Sequence, residues 1–165
     1  MTRTVLVLIA VLTAAGAGGC DGAPPAPHKP QQPRRATALK AGDVEAKVRT
    51  AFRASTSGRT GDSGYKTYRS GWQQETVELE VRWERERVTF LQAMLNPTYH
   101  READAINGAR LVLTDAAPPE HRAAARAWVD EALAGRRRPD VTIGGLRYSA
   151  TDPNPFSVIR VEPAP

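Results

Sequence analysis

Residues 39–165 predict an α+β fold: an antiparallel sheet of about five or six strands packed by two helices. Three observations carry this expectation. Val77, Leu79, Val81 and Trp83 alternate with Glu78, Glu80, Arg82 and Glu84, which is the pattern of a strand with one buried and one charged face. Strands buried on one face only belong to antiparallel sheets, because parallel sheets are covered on both sides. Residues 118–134 form an alanine-rich amphipathic segment, and the other apolar runs are short and separated by turn residues.

Taken in order, Asp43 is placed to cap a helix over 44–56, with Val44, Val48, Ala51 and Phe52 on one face. Ser55-Thr-Ser-Gly58 ends it, and a Gly/Ser-rich loop runs on to Gly64, followed by a short strand at 65–68. The alternating strand 77–84 turns through Arg85-Glu86-Arg87, and residues 88–95 return as its partner, with a short helix as the alternative. Asn107-Gly108 between Ile106 and Ala109-Arg-Leu-Val-Leu113 predicts a two-residue hairpin, because a type I′ turn needs positive φ twice. Pro118 and Pro119 suit the first turn of the second helix. Gly135 ends it, and Ala124, Ala125, Trp128, Val129, Ala132 and Leu133 form its apolar face. Strands over 140–149 and 156–162 close the domain, with Gly144-Gly145 marking a bulge, a bend or a tight hairpin. Trp83 falls on the buried parity of its strand and is expected in the core.

Upstream lies a different kind of sequence. Arg3 is the only charge among residues 1–19, followed by the apolar run Val5-Leu-Val-Leu-Ile-Ala-Val-Leu12 and small residues up to Ala17-Gly18-Gly19-Cys20. A charged start, an apolar middle and small residues at a cut site define a secretory signal over 1–19. A retained transmembrane helix is the alternative, but the run is well short of the ~20 apolar residues that cross hydrocarbon. Simple secretion is another. The Ala-Gly-Gly-Cys ending resembles the lipobox of bacterial lipoproteins, although that family usually has Leu where Ala17 stands. The resemblance covers residues 1–20 only. It implies that the Cys20 sulfur carries a lipid anchor and that the protein sits at the extracytoplasmic face of the cell membrane. Cys20 is the sole cysteine, so an internal disulfide is impossible, and lipidation accounts for it.

Residues 20–38 are expected to be a lipidated cysteine and a Pro-rich tether. Pro24, Pro25, Pro27, Pro30 and Pro33 fall here, with no large apolar side chain to bury. An extended tether at ~3.1 Å per residue would reach about 50 Å from the bilayer.

Net charge is +5, or +4 once Arg3 is removed with the signal. Nineteen arginines against four lysines is the bias of a high-GC, for instance actinobacterial, genome. A basic exported chain would meet phospholipid headgroups and wall polymers, so no nucleic acid partner is expected. Arg136, Arg137 and Arg138 follow the second helix, and they exceed what the helix dipole needs, which suggests contact with an anionic surface.

Chemistry is otherwise sparse. If extended, His100, Glu102 and Asp104 share one side of the chain and form a weak candidate metal site, with a solvated strand face as the ordinary alternative. Glu78, Glu80, Glu84 and Glu86 could be paired acids for glycoside hydrolysis, but glutamates on an exposed strand face form no cleft and pair with cross-strand arginines. The chain has no Gly-x-Ser-x-Gly, no phosphate loop and no zinc spacing, so no catalytic residue and no cofactor is assigned. The expected role is a membrane-anchored, non-catalytic module that binds an envelope protein or an anionic polymer. A small cell-envelope enzyme or a ligand-binding accessory subunit is the alternative.

Overall fold

The computed structural model describes residues 36–71, 77–95, 103–136, 138–151 and 157–165, all within the compact unit Gln32–Pro165. Chain order is α1 (Ala41–Val48), β1 (Ala54–Thr60), β2 (Ser63–Arg69), β3 (Glu78–Glu84), β4 (Arg87–Leu95), α2 (Ala103–Asp115), a 3-10 turn (Pro119–His121), α3 (Arg122–Leu133), β5 (Val141–Ile143), β6 (Leu146–Ala150) and β7 (Ser157–Pro163). The class is α+β as predicted, but among the described residues the sheet has seven strands and three α-helices pack on it. Strand order is β1-β2-β3-β4-β7-β6-β5, and every neighbouring pair is antiparallel.

The alternating strand sits where its pattern says. Leu79 and Val81 pair with Ala93 and Leu91, which pair in turn with Ile159 and Val161, and all six are buried under the helices. Tyr148, opposite Val161, is buried too, and its hydroxyl donates to the Leu113 carbonyl of α2 at 3.2 Å. Trp83 departs from expectation and is only half-buried. The ladder shifts register between Arg82 and Trp83, and its indole lies across Gly64 of β2.

Three local readings are corrected. The first helix ends at Val48, not residue 56, and Asp43 is its third residue: its Oδ2 accepts the Lys40 amide at 3.3 Å, fastening the first turn from inside. The expected Gly/Ser loop is the β1–β2 hairpin, turning at Gly61 with φ of +58°. Small polar residues suffice there because β1 is an edge strand whose residues stay mostly exposed.

The Asn107-Gly108 hairpin does not form, since both residues lie inside α2. Ala105, Ala109, Val112 and Leu113 repeat at helical spacing and are fully buried. Gly108 serves packing instead of turning. A Cβ there would stand 3.3 Å from the Ala51 Cβ and 3.4 Å from Phe52 Cε2, so glycine lets the chain after α1 approach closely. The Arg110 guanidinium donates to the Asn107 side-chain oxygen one turn earlier in the helix.

Of the three options for Gly144-Gly145, the tight hairpin is found, with φ of +59° and +80° between β5 and β6. Gly135, at φ +71°, follows α3 as expected. The expected tether reaches too far at its C-terminal end. Thr37 is 3% exposed, its amide donates to Val88 O at 2.9 Å, and Leu39 O accepts the Val88 amide at 3.1 Å. Residues 37–40 therefore occupy the side of β4 that β7, which pairs only with 91–95, leaves open.

Candidate functional site

The residues singled out from the sequence do not converge. Cys20, His100, Glu102 and Arg137 lie outside the described residues. Asp104 is in the first turn of α2, so the extended geometry that grouped it with His100 and Glu102 does not hold at that position. Among the described residues no group of three or more His, Cys, Asp or Glu is placed to hold a metal.

Arg136 and Arg138 share one partner. Arg136 grips Glu131 with two hydrogen bonds, Nε to Oε2 at 2.5 Å and Nη2 to Oε1 at 2.7 Å, and Arg138 Nη2 lies 3.0 Å from the same Oε2. The Arg136 hydrogen bond is the main reason that the Glu131 carboxyl is held below its usual range. The pair stands in water, so it contributes little to stability.

Two of the strand glutamates have arginine partners. Glu78 takes Arg69 across the β2–β3 ladder at 2.8 Å, as expected, whereas Glu80 takes Arg82 of its own strand at 2.6 Å. Trp128 is buried edge-on to Tyr148 at 5.7 Å, and its indole N–H donates to Pro139 O at 3.2 Å. Trp72 is not among the described residues. The two buried tyrosines are structural: burial pushes Tyr68 up to about 12, and Tyr148 also well above the ordinary phenol range.

A further surface feature lies partly in the stretch 58–64, which was expected to be loop. Near the β1–β2 turn, on the sheet face away from the helices, lies an open recess of about 510 Å³. The register explains its make-up. Gly58, Tyr65, Arg82 and Phe90 stand side by side on four adjacent strands, while Thr60, Ser63 and Glu84 occupy the next outward-facing row.

The Tyr65 ring crosses Gly58 so closely that a Cβ there would come within 2.5 Å of Tyr65 Cε1. Tyr65 is nevertheless 48% exposed, so the ring is seated against the strand and still open to solvent. Arg82 is held on its other side, with its guanidinium 4.7 Å from the Phe90 ring centroid and its Nε on Glu80. Glu84 has no ion-pair partner among the described residues. The available signal was the pair Gly58 and Gly64, glycines six apart in a polar run. Their role shows only once Tyr65 and Trp83 are seen lying across them.

Comparison of the chain with protein-family models, curated proteins and solved structures finds no match.

Proposed function

We propose that this chain is a lipoprotein of the cell envelope, anchored through Cys20 at the extracytoplasmic face of the membrane, whose α+β domain works as a non-catalytic binding module. The observation that carries the anchoring is the sequence Ala17-Gly18-Gly19-Cys20 behind an eight-residue apolar run, with Cys20 the sole cysteine. Supporting the binding role is a sheet face whose outward side chains stay exposed or half-exposed and which bears the Tyr65 recess. Residues 21–36 serve in this reading as spacer.

The test is metabolic lipid labelling with detergent phase partition. Wild-type protein is expected to enter the detergent phase, and Cys20→Ser to lose both label and partition, because stable anchoring needs the acyl chains. Wild-type protein in the aqueous phase would overturn the anchor. Crosslinking in native membranes then identifies the partner. Arg136, Arg137 and Arg138 belong to this proposal as a secondary contact with anionic headgroups or wall phosphate, since Arg136 and Arg138 share the single carboxylate of Glu131. Their replacement by Gln should abolish salt-sensitive binding to anionic vesicles.

A further inference from the structure

We infer that the recess beside Tyr65 is a binding site for an uncharged polysaccharide, with the Tyr65 ring as the stacking surface for a pyranose. The inference rests on the binding-module reading above and names the ligand class.

Three features point the same way. The first is the ring itself. An aromatic ring laid across a neighbouring strand's glycine can simply shield that backbone, but such shielding asks only that the ring lie on the strand. Here nearly half of the tyrosine's surface remains open, on the face of the sheet away from the helices. A fixed, solvent-facing ring presents the negative face of its quadrupole. The C–H edge of a pyranose carries the complementary partial positive charge.

The second feature is the polar set. Beside Tyr65 stand Arg59, Glu80, Arg82 and Glu84, with the hydroxyls of Thr60 and Ser63 in the same lining. Carboxylates accept, guanidinium donates and hydroxyls do both, which is what vicinal sugar hydroxyls require. Glu80 and Phe90 fix Arg82 in place, so its donors are set before a ligand arrives.

The third is charge. Two carboxylates, Glu80 and Glu84, and two guanidinium groups, Arg59 and Arg82, leave the lining without net charge, so neither a polyanion nor a cationic peptide meets a field of opposite sign. A neutral polyol can hydrogen-bond to all four groups. The volume of about 510 Å³ lies within the ~300–1,000 Å³ of small-molecule sites and leaves room for more than one pyranose ring.

The experiment is affinity electrophoresis of the full chain, purified in a detergent without a sugar headgroup. The gels contain a branched glucan, a mannan or a galactan, with a polyphosphate gel and a polylysine gel as charged comparators. The expected result is retardation by at least one neutral polymer and by neither charged one. Tyr65→Ala should weaken it about tenfold, the order that one stacked ring contributes, and Tyr65→Phe should retain it. Gly58→Ala leaves the tyrosine in place but puts a methyl where its ring rests, so it should weaken retardation without lowering the melting temperature. Glu84→Gln, exposed at the strand end, is the second variant and should weaken binding severalfold while folding as the parent does.

Retardation by none of the neutral polymers overturns the proposal. So does retardation that survives both Tyr65→Ala and Glu84→Gln, or retardation confined to a charged polymer. A protein partner captured by crosslinking, with no glycan retardation, would leave the binding module standing and remove only the glycan site.

Discussion

The two faces of the seven-stranded sheet are built from the same strands and obey different rules. On the helix side, Leu79, Val81, Leu91, Ala93, Ile159 and Val161 form two adjacent rows in which no residue is more than 1% exposed. On the opposite side the matching positions are Glu80, Arg82, Gln92 and Arg160, tied by Arg82–Glu80 at 2.6 Å and Arg160–Gln92 at 2.8 Å. The first face stabilises through area removed from water, which any well-fitting apolar side chain can supply. The second contributes little to stability, and that leaves its residues free to be chosen for a ligand. A Phe90 ring under a guanidinium and a half-exposed Tyr65 seated on glycine belong to that freedom.

The largest effect that bears on this contrast comes from charging the inner face. Val81→Asp should unfold the domain at room temperature, because an unpaired carboxylate there costs about 3–5 kcal/mol. Circular dichroism checks it, and a cooperative melt near that of the parent would mean that the inner face is not the core.

The next effect is alkaline. Tyr68 and Tyr148 are held neutral in the folded state by burial, Tyr68 up to about 12 from an ordinary 10.0. Below pH 10 both states keep the phenol proton and this stability is fully present. Between pH 10 and 12 the unfolded chain ionises first, so stability falls as pH rises. The melting temperature should therefore drop between pH 10 and pH 12, and less steeply in Tyr68→Phe. An equal drop in the variant would show that Tyr68 is not shielded.

Smaller still is the β3–β4 turn, where the two faces meet at a strand end. Arg85 and Glu86 adopt φ of +48° and +67°, the left-handed region that side chains disfavour. They are kept there by bonds from outside the hairpin, with Arg85 N donating to Asp62 O and Ala41 N donating to Glu86 O, each at 2.9 Å. Arg85→Asn with Glu86→Gly should raise stability by about 1 kcal/mol in urea titration. A loss of that size would mean that their side chains matter more than their backbone strain.

Smallest is Glu80→Ala on the outer face, expected to change stability by no more than about 0.5 kcal/mol in the same titration, as surface ion pairs usually do. A cost near that of Val81→Asp would erase the distinction between the faces.

Some of this was decided by the sequence alone. The β3 alternation identified the buried face because side-chain direction in a strand has period two whatever the neighbours are. The helix ending at Gly135 was legible for a similar reason, since its cues lie within a few residues of the feature they cause. Other features were settled only by packing. Asn107-Gly108 is a favourable turn locally, but Ala105, Ala109, Val112 and Leu113 bury four apolar side chains only if α2 runs through it, and Gly108 then admits Ala51 and Phe52. Arg85-Glu86 is the converse, a poor turn locally that is held by Asp62 and Ala41. The β1–β2 hairpin was hidden because its residues are polar and its order comes from pairing with β3. The Tyr65 recess was invisible for the same reason. It exists only where four strands bring Gly58, Tyr65, Arg82 and Phe90 into one row, and that row is set by three registers between residues up to seventeen apart in the chain.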